Sequence, residues 1–331
     1  MNIRLGISFD GFIPYPESID LARRAVEAGA GSLWMAEHLG YREAMVSSMG
    51  FLAATTDAVV VPTAVSPYLW HPTPTAMALA TLAEAAPGRV AVAVGLGNPL
   101  FLRESGVEPV KPVRAMGEYI DSLRSLWAGE PVRREDAMLH PLAGARMGFE
   151  PPQPIPIYVA AMRKQMLDLT GRVADGVVLS GGLSVDYVRR SLGLCEAGAA
   201  KAGRDLKGFR KAGYVFFGVS RDRREAFDAL REKIAFVMRN EAIRENIDQS
   251  GIAVDHDGVV AAIAKRDFAA ASSLISDEAV RAFAIGGTPS DCAEGIRAYA
   301  EAGLEELVLL VSGTAENQQL ALEVIRQCLE R

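Results

Sequence analysis

Short, continuously apolar runs alternate with amphipathic segments from one end of the chain to the other, and this alternation restricts the fold more than any other property of the sequence. Strand-like runs are expected over residues 3–9, 32–36, 58–64, 89–94, 155–160, 176–179, 212–219 and 306–311. Helical spacing fills the gaps between them. Over residues 16–28, Ile19, Ala22 and Val26 share one face while Asp20, Arg23, Arg24 and Glu27 share the other, and Gly29 offers a left-handed end. Further helices are expected around residues 43–55, 73–86 and 114–127, the last with Met116, Ile120, Leu123 and Trp127 in line. Strands that are apolar on both faces belong to a parallel sheet covered by helices on each side. Eight of them, each followed by a helix, predict an α/β fold, a (β/α)8 TIM barrel; an open doubly wound sheet is the runner-up. The 331 residues exceed the roughly 250 of a plain barrel. The excess is placed in two insertions within a single domain spanning 1–331: about 128–155, after the fourth strand, and about 240–286, after the seventh.

Composition removes several classes of function. Half of the residues are apolar, so disorder is excluded. With 35 basic and 41 acidic residues the chain carries −6 and no basic run, which argues against nucleic acid or an anionic membrane as partner. Cys195, Cys292 and Cys328 are far apart and odd in number, as expected of free thiols in a reducing compartment. The chain runs straight into its first strand without a charged leader, and no apolar stretch approaches the roughly 20 residues of a membrane span, so a soluble, cytoplasmic protein is expected. The four histidines, at 38, 71, 140 and 256, are scattered, and no metal site is expected. No Gly-x-Ser-x-Gly elbow supports a hydrolase.

Barrel enzymes react at the C-terminal ends of their strands. After the second strand stand Glu37 and His38; His38 is the one histidine directly at a strand end and the natural proton carrier near neutral pH. After the third, Thr63, Ala64, Val65 and Ser66 open a segment with prolines at 62, 67, 72 and 74, too many for a continuing strand or a helix interior. A stiff bulge there can hold backbone against a flat ligand. After the fourth strand come Gly95, Gly97 and Asn98, but Leu100 breaks the Gly-x-Gly-x-x-Gly fingerprint of nicotinamide enzymes. After the fifth, Ala160, Ala161, Met162, Arg163 and Lys164 open a helix, where two cations suit an anion such as phosphate. Ser180 and Gly181 make a backbone-rich turn after the sixth. Asp10, Glu37 and Trp70 are the further residues placed near a substrate.

Taken together these segments resemble the luciferase-like superfamily of flavin- and F420-dependent oxidoreductases, and within it the methylenetetrahydromethanopterin-reductase-like branch. The resemblance runs over nearly the whole chain. It rests on the acid–His38 pair, Val65-Ser66-Pro67-Tyr68-Leu69-Trp70-His71-Pro72, Gly95-Leu96-Gly97, Ile157-Tyr158-Val159-Ala160-Ala161, Ala174-Asp175-Gly176 and Gly287-Thr288-Pro289-Ser290-Asp291. It implies a TIM barrel with an added helical segment, and a non-prolyl cis peptide supporting the cofactor ring within residues 63–65. Asn98 stands where an acidic residue is often found beside the deazaflavin, and Trp70 where an arginine is frequent.

The resemblance implies hydride transfer with coenzyme F420 to or from a small organic substrate, in a homo-oligomer such as a dimer. His38 would move the accompanying proton. The backbone of residues 63–66 would support the ring, residues 95–98 would border its edge, and Ala161–Lys164 with Ser180 and Gly181 would hold the phosphate end. An FMN-dependent monooxygenase served by a flavin reductase shares every one of these segments and is the alternative. A flavin-binding barrel without turnover is a second. A barrel aldolase or isomerase would want a mid-barrel lysine or a carboxylate pair, which no strand supplies.

Overall fold

The computed structural model describes residues 3–329, apart from the side chains of residues 100 and 101. Its strands are β1 (Arg4–Phe9), β2 (Ser32–Ala36), β3 (Val59–Val65), β4 (Val92–Val94), β5 (Val132–Arg134), β6 (Leu142–Ala145), β7 (Ile157–Ala160), β8 (Gly176–Leu179), β9 (Arg210–Val219), β10 (Ile285–Gly287) and β11 (Glu306–Ser312). Eight of them pair in parallel in the order β1-β2-β3-β4-β7-β8-β9-β11, and β11 returns to β1. The sheet is therefore a closed barrel, and the open doubly wound alternative falls.

Around it stand α1 (Tyr15–Glu27), α2 (Ala44–Ala54), α3 (Pro72–Ala85), α4 (Pro99–Glu104), α5 (Pro112–Trp127), α6 (Lys164–Val173), α7 (Val185–Lys201), α8 (Arg223–Met238), α9 (Arg244–Ser250), α10 (His256–Ala264), α11 (Phe268–Ser273), α12 (Asp277–Phe283), α13 (Pro289–Glu301) and α14 (Ala315–Leu329). Local chemistry sets many of their ends. Glu43 accepts from the N–H groups of Met45 and Val46 to start α2, His71 accepts from Thr73 to start α3, and Thr288 with Asp291 forms a capping box on α13.

Strand β3 runs through Pro62 to Val65, close to the expected 58–64, and its register with β4 breaks between Thr63 and Val65, within the segment where a bulge was expected. One missing N–H costs the ladder a single bond, and the bulge follows it. Residues 128–155 contain an antiparallel hairpin, β5 with β6, and helix α4 precedes α5; neither was expected. At the end of the 240–286 segment β10 adds a ninth strand, paired to the upper end of β9. Three residues, two of them glycine, leave no apolar run to read.

Alternate residues of each barrel strand feed two cores. Leu5, Ile7, Leu33, Met35 and Val60 point outward against the helices. Trp34, Val61, Ala91, Ala93, Tyr158, Val178, Ala212 and Val308 fill the barrel itself. The Trp34 indole donates to Ser32 and to the buried carboxylate of Glu306, at 2.9 Å each, which closes the lower interior. Above this plug the inward-facing Ser8, Ala36, Ala160, Tyr214 and Leu310 are partly exposed. The barrel is filled below and opens as a basin at the C-terminal ends of its strands.

Candidate active site

His38 stands two residues beyond β2, at the rim of the basin. Its Nδ1 lies 3.0 Å from the carbonyl oxygen of Asp10. A carbonyl only accepts, so Nδ1 carries the proton and donates it. Burial holds the imidazole below its usual value; the carbonyl and charge of Asp10 and the carbonyl of Ala36 oppose this, and the charge of Lys233 reinforces it. The Phe12 ring packs 4.8 Å from the imidazole. The result is a positioned histidine, neutral near pH 7.

Glu37 has a different task. Its carboxylate accepts from the N–H of Ala44 at 2.9 Å and from the indole of Trp70. Burial raises its pKa, and these bonds pull it back. It therefore joins the start of α2 to the segment after β3. Asp10 likewise accepts from the N–H of Phe12 at 3.0 Å, holding the turn whose carbonyl orients His38.

The end of β3 forms one wall. The Thr63–Ala64 peptide is cis, inside the window that the resemblance implied. The Ser66 hydroxyl donates to the carbonyl of Leu96 at 2.9 Å, and the Gly95 N–H donates to Val65, so the bulge is fastened to the turn after β4. Gly95 is required by packing. A Cβ there would lie 2.7 Å from the Ala64 Cβ and 3.1 Å from the Ala160 Cβ. Ala64, Gly95 and Ala160, from three adjacent strands, thus form a wall of very small side chains. Gly97 turns with φ +90°, and the Asn98 carbonyl accepts from Leu102 in α4.

On the far side, α6 begins at the mouth. Arg163 is its N-cap, extended and without a side-chain cap bond, and Arg163 and Lys164 are exposed. Ala161 is buried and pairs with Val178, while the Met162 carbonyl accepts from the Tyr187 hydroxyl. Ser180 is partly exposed; Gly181 and Gly182 press against Phe216 and Val237. The structure brings the expected strand-end residues to one rim, with Glu37, Asp10 and Trp70 as supports beside it.

Sequence reasoning missed residues supplied from the long second insertion. Asn246 of α9 is fully buried, donates to the Gly182 carbonyl at 3.0 Å and accepts from the Ser184 N–H at 2.8 Å, fixing the turn after β8. Glu245 joins Arg190 and the Tyr187 hydroxyl beside it. No local pattern marks these contacts. Tyr214 and Ser8, in contrast, could have been found as polar residues interrupting apolar strands. Their hydroxyls lie buried at the floor without a partner, near but outside bonding geometry with each other and with Thr63.

The remaining histidines are structural: His71 caps α3, His140 bonds the Pro67 carbonyl at 2.7 Å, and His256 bonds that of Met238. Asp175 lies at the opposite face, where it accepts from Ile157 and pairs with Arg124. A cleft of about 590 Å3 opens at that face, between Trp127, Arg210 and the prolines at 151–156, far from His38. Among the described residues, no group of three metal-ligating side chains comes together, and no helix is long and apolar enough to cross a membrane.

Known proteins are similar to this chain in sequence and in fold. The sequence pattern of the family described as luciferase-like monooxygenase matches residues 5–306. Among curated relatives, the 5,10-methylenetetrahydromethanopterin reductase of Methanolobus tindarius is 30% identical over 326 residues, 97% of each chain. The enzyme of the same name from Archaeoglobus fulgidus is 28% identical over 311 residues, 92% of each. Among solved structures, the coenzyme F420 dependent tetrahydromethanopterin reductase of Methanopyrus kandleri superposes with a TM-score of 0.89 at 24% identity, covering 98% of this chain and 97% of that one.

Proposed function

The chain belongs to the luciferase-like monooxygenase family, and from that premise we propose that it is an F420-dependent oxidoreductase moving a hydride to or from a small organic substrate, in the manner of the methylenetetrahydromethanopterin reductases it resembles. The observation that carries this reading is the wall of Ala64, Gly95 and Ala160, where any larger side chain would fill the space a flat ring needs. When bound, the deazaflavin supplies the ring carbon that carries the hydride.

The chain's own groups do the rest. The backbone of Thr63, Ala64, Val65 and Ser66 supports the ring, held in place by the Ser66–Leu96 bond. Gly95, Gly97 and Asn98 border its edge. Ala160 shares the wall, while Ala161, Met162, Arg163 and Lys164 at the start of α6, with Ser180 and Gly181, hold the phosphate end. Free N–H groups, the helix dipole and two exposed cations all favour an anion there. His38, neutral and oriented through Nδ1, takes up or releases the accompanying proton at Nε2. Asp10 orients His38, and Glu37 with Trp70 ties the β2 end to the bulge. The family resemblance is the ground for reading the chain as a homo-oligomer.

Two measurements test the reading. Protein purified from an F420-producing host should retain F420, identified by absorption and mass. Titrations followed by tryptophan fluorescence should give tighter binding for F420 than for FMN. A clear FMN preference would overturn the cofactor assignment and favour a monooxygenase fed by a flavin reductase.

A further inference from the structure

The cleft of about 590 Å3 at the face opposite His38 has the size of a small-molecule site, roughly 300–1,000 Å3. Its apolar wall comes from Trp127 at the end of α5 and from the prolines of residues 151–156, before β7. Each proline fixes its own φ, and Ile155 is buried among them, so this wall is formed before any ligand arrives. The Trp127 indole donates to the Ala76 carbonyl at 3.1 Å, which holds its ring in place. The polar wall is cationic, although the chain as a whole carries −6. Arg124 and Arg210 line the cleft against one carboxylate, that of Asp175, and Arg204 lies 3.9 Å from the same carboxylate. Asp175 is already engaged: one oxygen accepts from the Ile157 N–H at 2.9 Å and the other from Arg124 at 2.8 Å. Arg124 uses a single nitrogen there, and among the described residues its others have no protein partner. Arg210, the first residue of β9, is half-buried in the wall. The cleft therefore sets an excess of guanidinium groups opposite a rigid apolar face.

We propose that this cleft is a second binding site, for a flat ring that carries a phosphate, a molecule of nucleotide type. Arg124 and Arg210 pair with the phosphate oxygens, which the planar fork of a guanidinium matches. The ring rests on the apolar face of Trp127 and the prolines, where a flat conjugated system buries most of its area. The cleft lies at the N-terminal ends of β7, β8 and β9, so it is separate from His38 and from the start of α6, both at the C-terminal ends of strands. Its occupancy does not depend on the oxidoreductase reading above.

The three tryptophans make the test site-specific, because Trp34 lies in the barrel plug, Trp70 beside the proposed active site and Trp127 in the cleft. The full chain is labelled with 5-fluorotryptophan and followed by fluorine NMR, with Trp70→Phe and Trp127→Phe to assign the signals. Adenosine monophosphate is the probe, and adenosine and inorganic phosphate are its two halves. Adenosine monophosphate should shift the Trp127 signal saturably and leave Trp70 in place, while adenosine and phosphate each bind at least tenfold more weakly. Arg210→Gln should weaken the binding at least tenfold, and Arg210→Lys should recover part of the loss. A silent Trp127 signal, or a shift confined to Trp70, overturns the inference. So does equal binding of adenosine, which would leave the arginines no role, equal binding of phosphate, which would leave the ring none, or unchanged affinity in Arg210→Gln. If Arg210→Gln fails to fold, the titration of the native chain with the three probes still decides.

Discussion

Replacing Gly95 with alanine is the sharpest probe of the small-residue wall. Gly95 has no left-handed backbone, so alanine meets no conformational penalty there and any effect comes from contact. The new methyl would lie 2.7 Å from the Ala64 Cβ and 3.1 Å from the Ala160 Cβ. Carbon atoms rest at about 3.5–4.0 Å, so β3 and β4 must part by roughly 1 Å at their upper ends. Overpacking of this kind costs about 1–3 kcal/mol. With an unfolding entropy of about 2.1 cal/mol/K per residue, a chain of 331 residues shifts by roughly 1.5 °C per kcal/mol, so the melting temperature should fall by about 1.5–4.5 °C. The same displacement narrows the wall, and F420 affinity should fall at least about tenfold, or 1.4 kcal/mol. Adding Ala64→Gly removes the closer contact. Relative to the Ala64→Gly single variant, Gly95→Ala should then lose most of its thermal effect, a coupling of about 1–2 kcal/mol. Ala160→Gly, which relieves the milder contact, should rescue less. Thermal unfolding and fluorescence titration of the set decide the matter. Wild-type behaviour of Gly95→Ala, or equal rescue by both partners, would refute the packing argument.

Other expectations follow from the same geometry. His38→Ala should lower saturated turnover by about 10²–10⁴-fold while moving F420 affinity only slightly; an unchanged rate removes His38 from the mechanism. Because burial depresses the folded His38, the unfolded chain binds the proton more readily, and stability should fall as pH drops below about 6.5 toward the folded value. His71, depressed by burial and by His140, adds the same sign, so His38→Gln should flatten the urea-unfolding profile over this range without levelling it; identical profiles count against the assignment. Arg163→Ala should weaken F420 binding by roughly 1.5–3 kcal/mol yet spare the melting temperature of the free chain, since the side chain is exposed and makes no cap bond. Asn246→Ala should cost about 2–4 kcal/mol in urea denaturation, because the Gly182 carbonyl and the Ser184 N–H both lose their partner in a buried place. A loss under 1 kcal/mol would show that the turn after β8 holds itself.

The amino-acid sequence alone determined the elements whose signal is local. Strands at 32–36 and 176–179 stand where their apolar runs place them, and α2 starts at Glu43 because that carboxylate reaches two N–H groups of its own next turn. Eight such runs with helices between them leave few topologies, so the barrel was legible, and with it the strand ends where His38, Gly95 and Arg163 lie. Tertiary structure decided whatever depends on residues distant in the chain. Glu37 reads as a residue near the substrate because it stands at a strand end, but the folded chain gives its carboxylate to Ala44 and Trp70. Gly95 reads as half of a loose Gly-x-Gly turn, and only the neighbouring strands reveal that Ala64 and Ala160 leave no room for a methyl. Asn246 carries no local pattern at all, since it acts across more than fifty residues on the turn after β8. Periodicity records which face of a segment is buried. It does not record which distant segment covers that face, and the chemistry at the mouth of this barrel is assembled from such coverings.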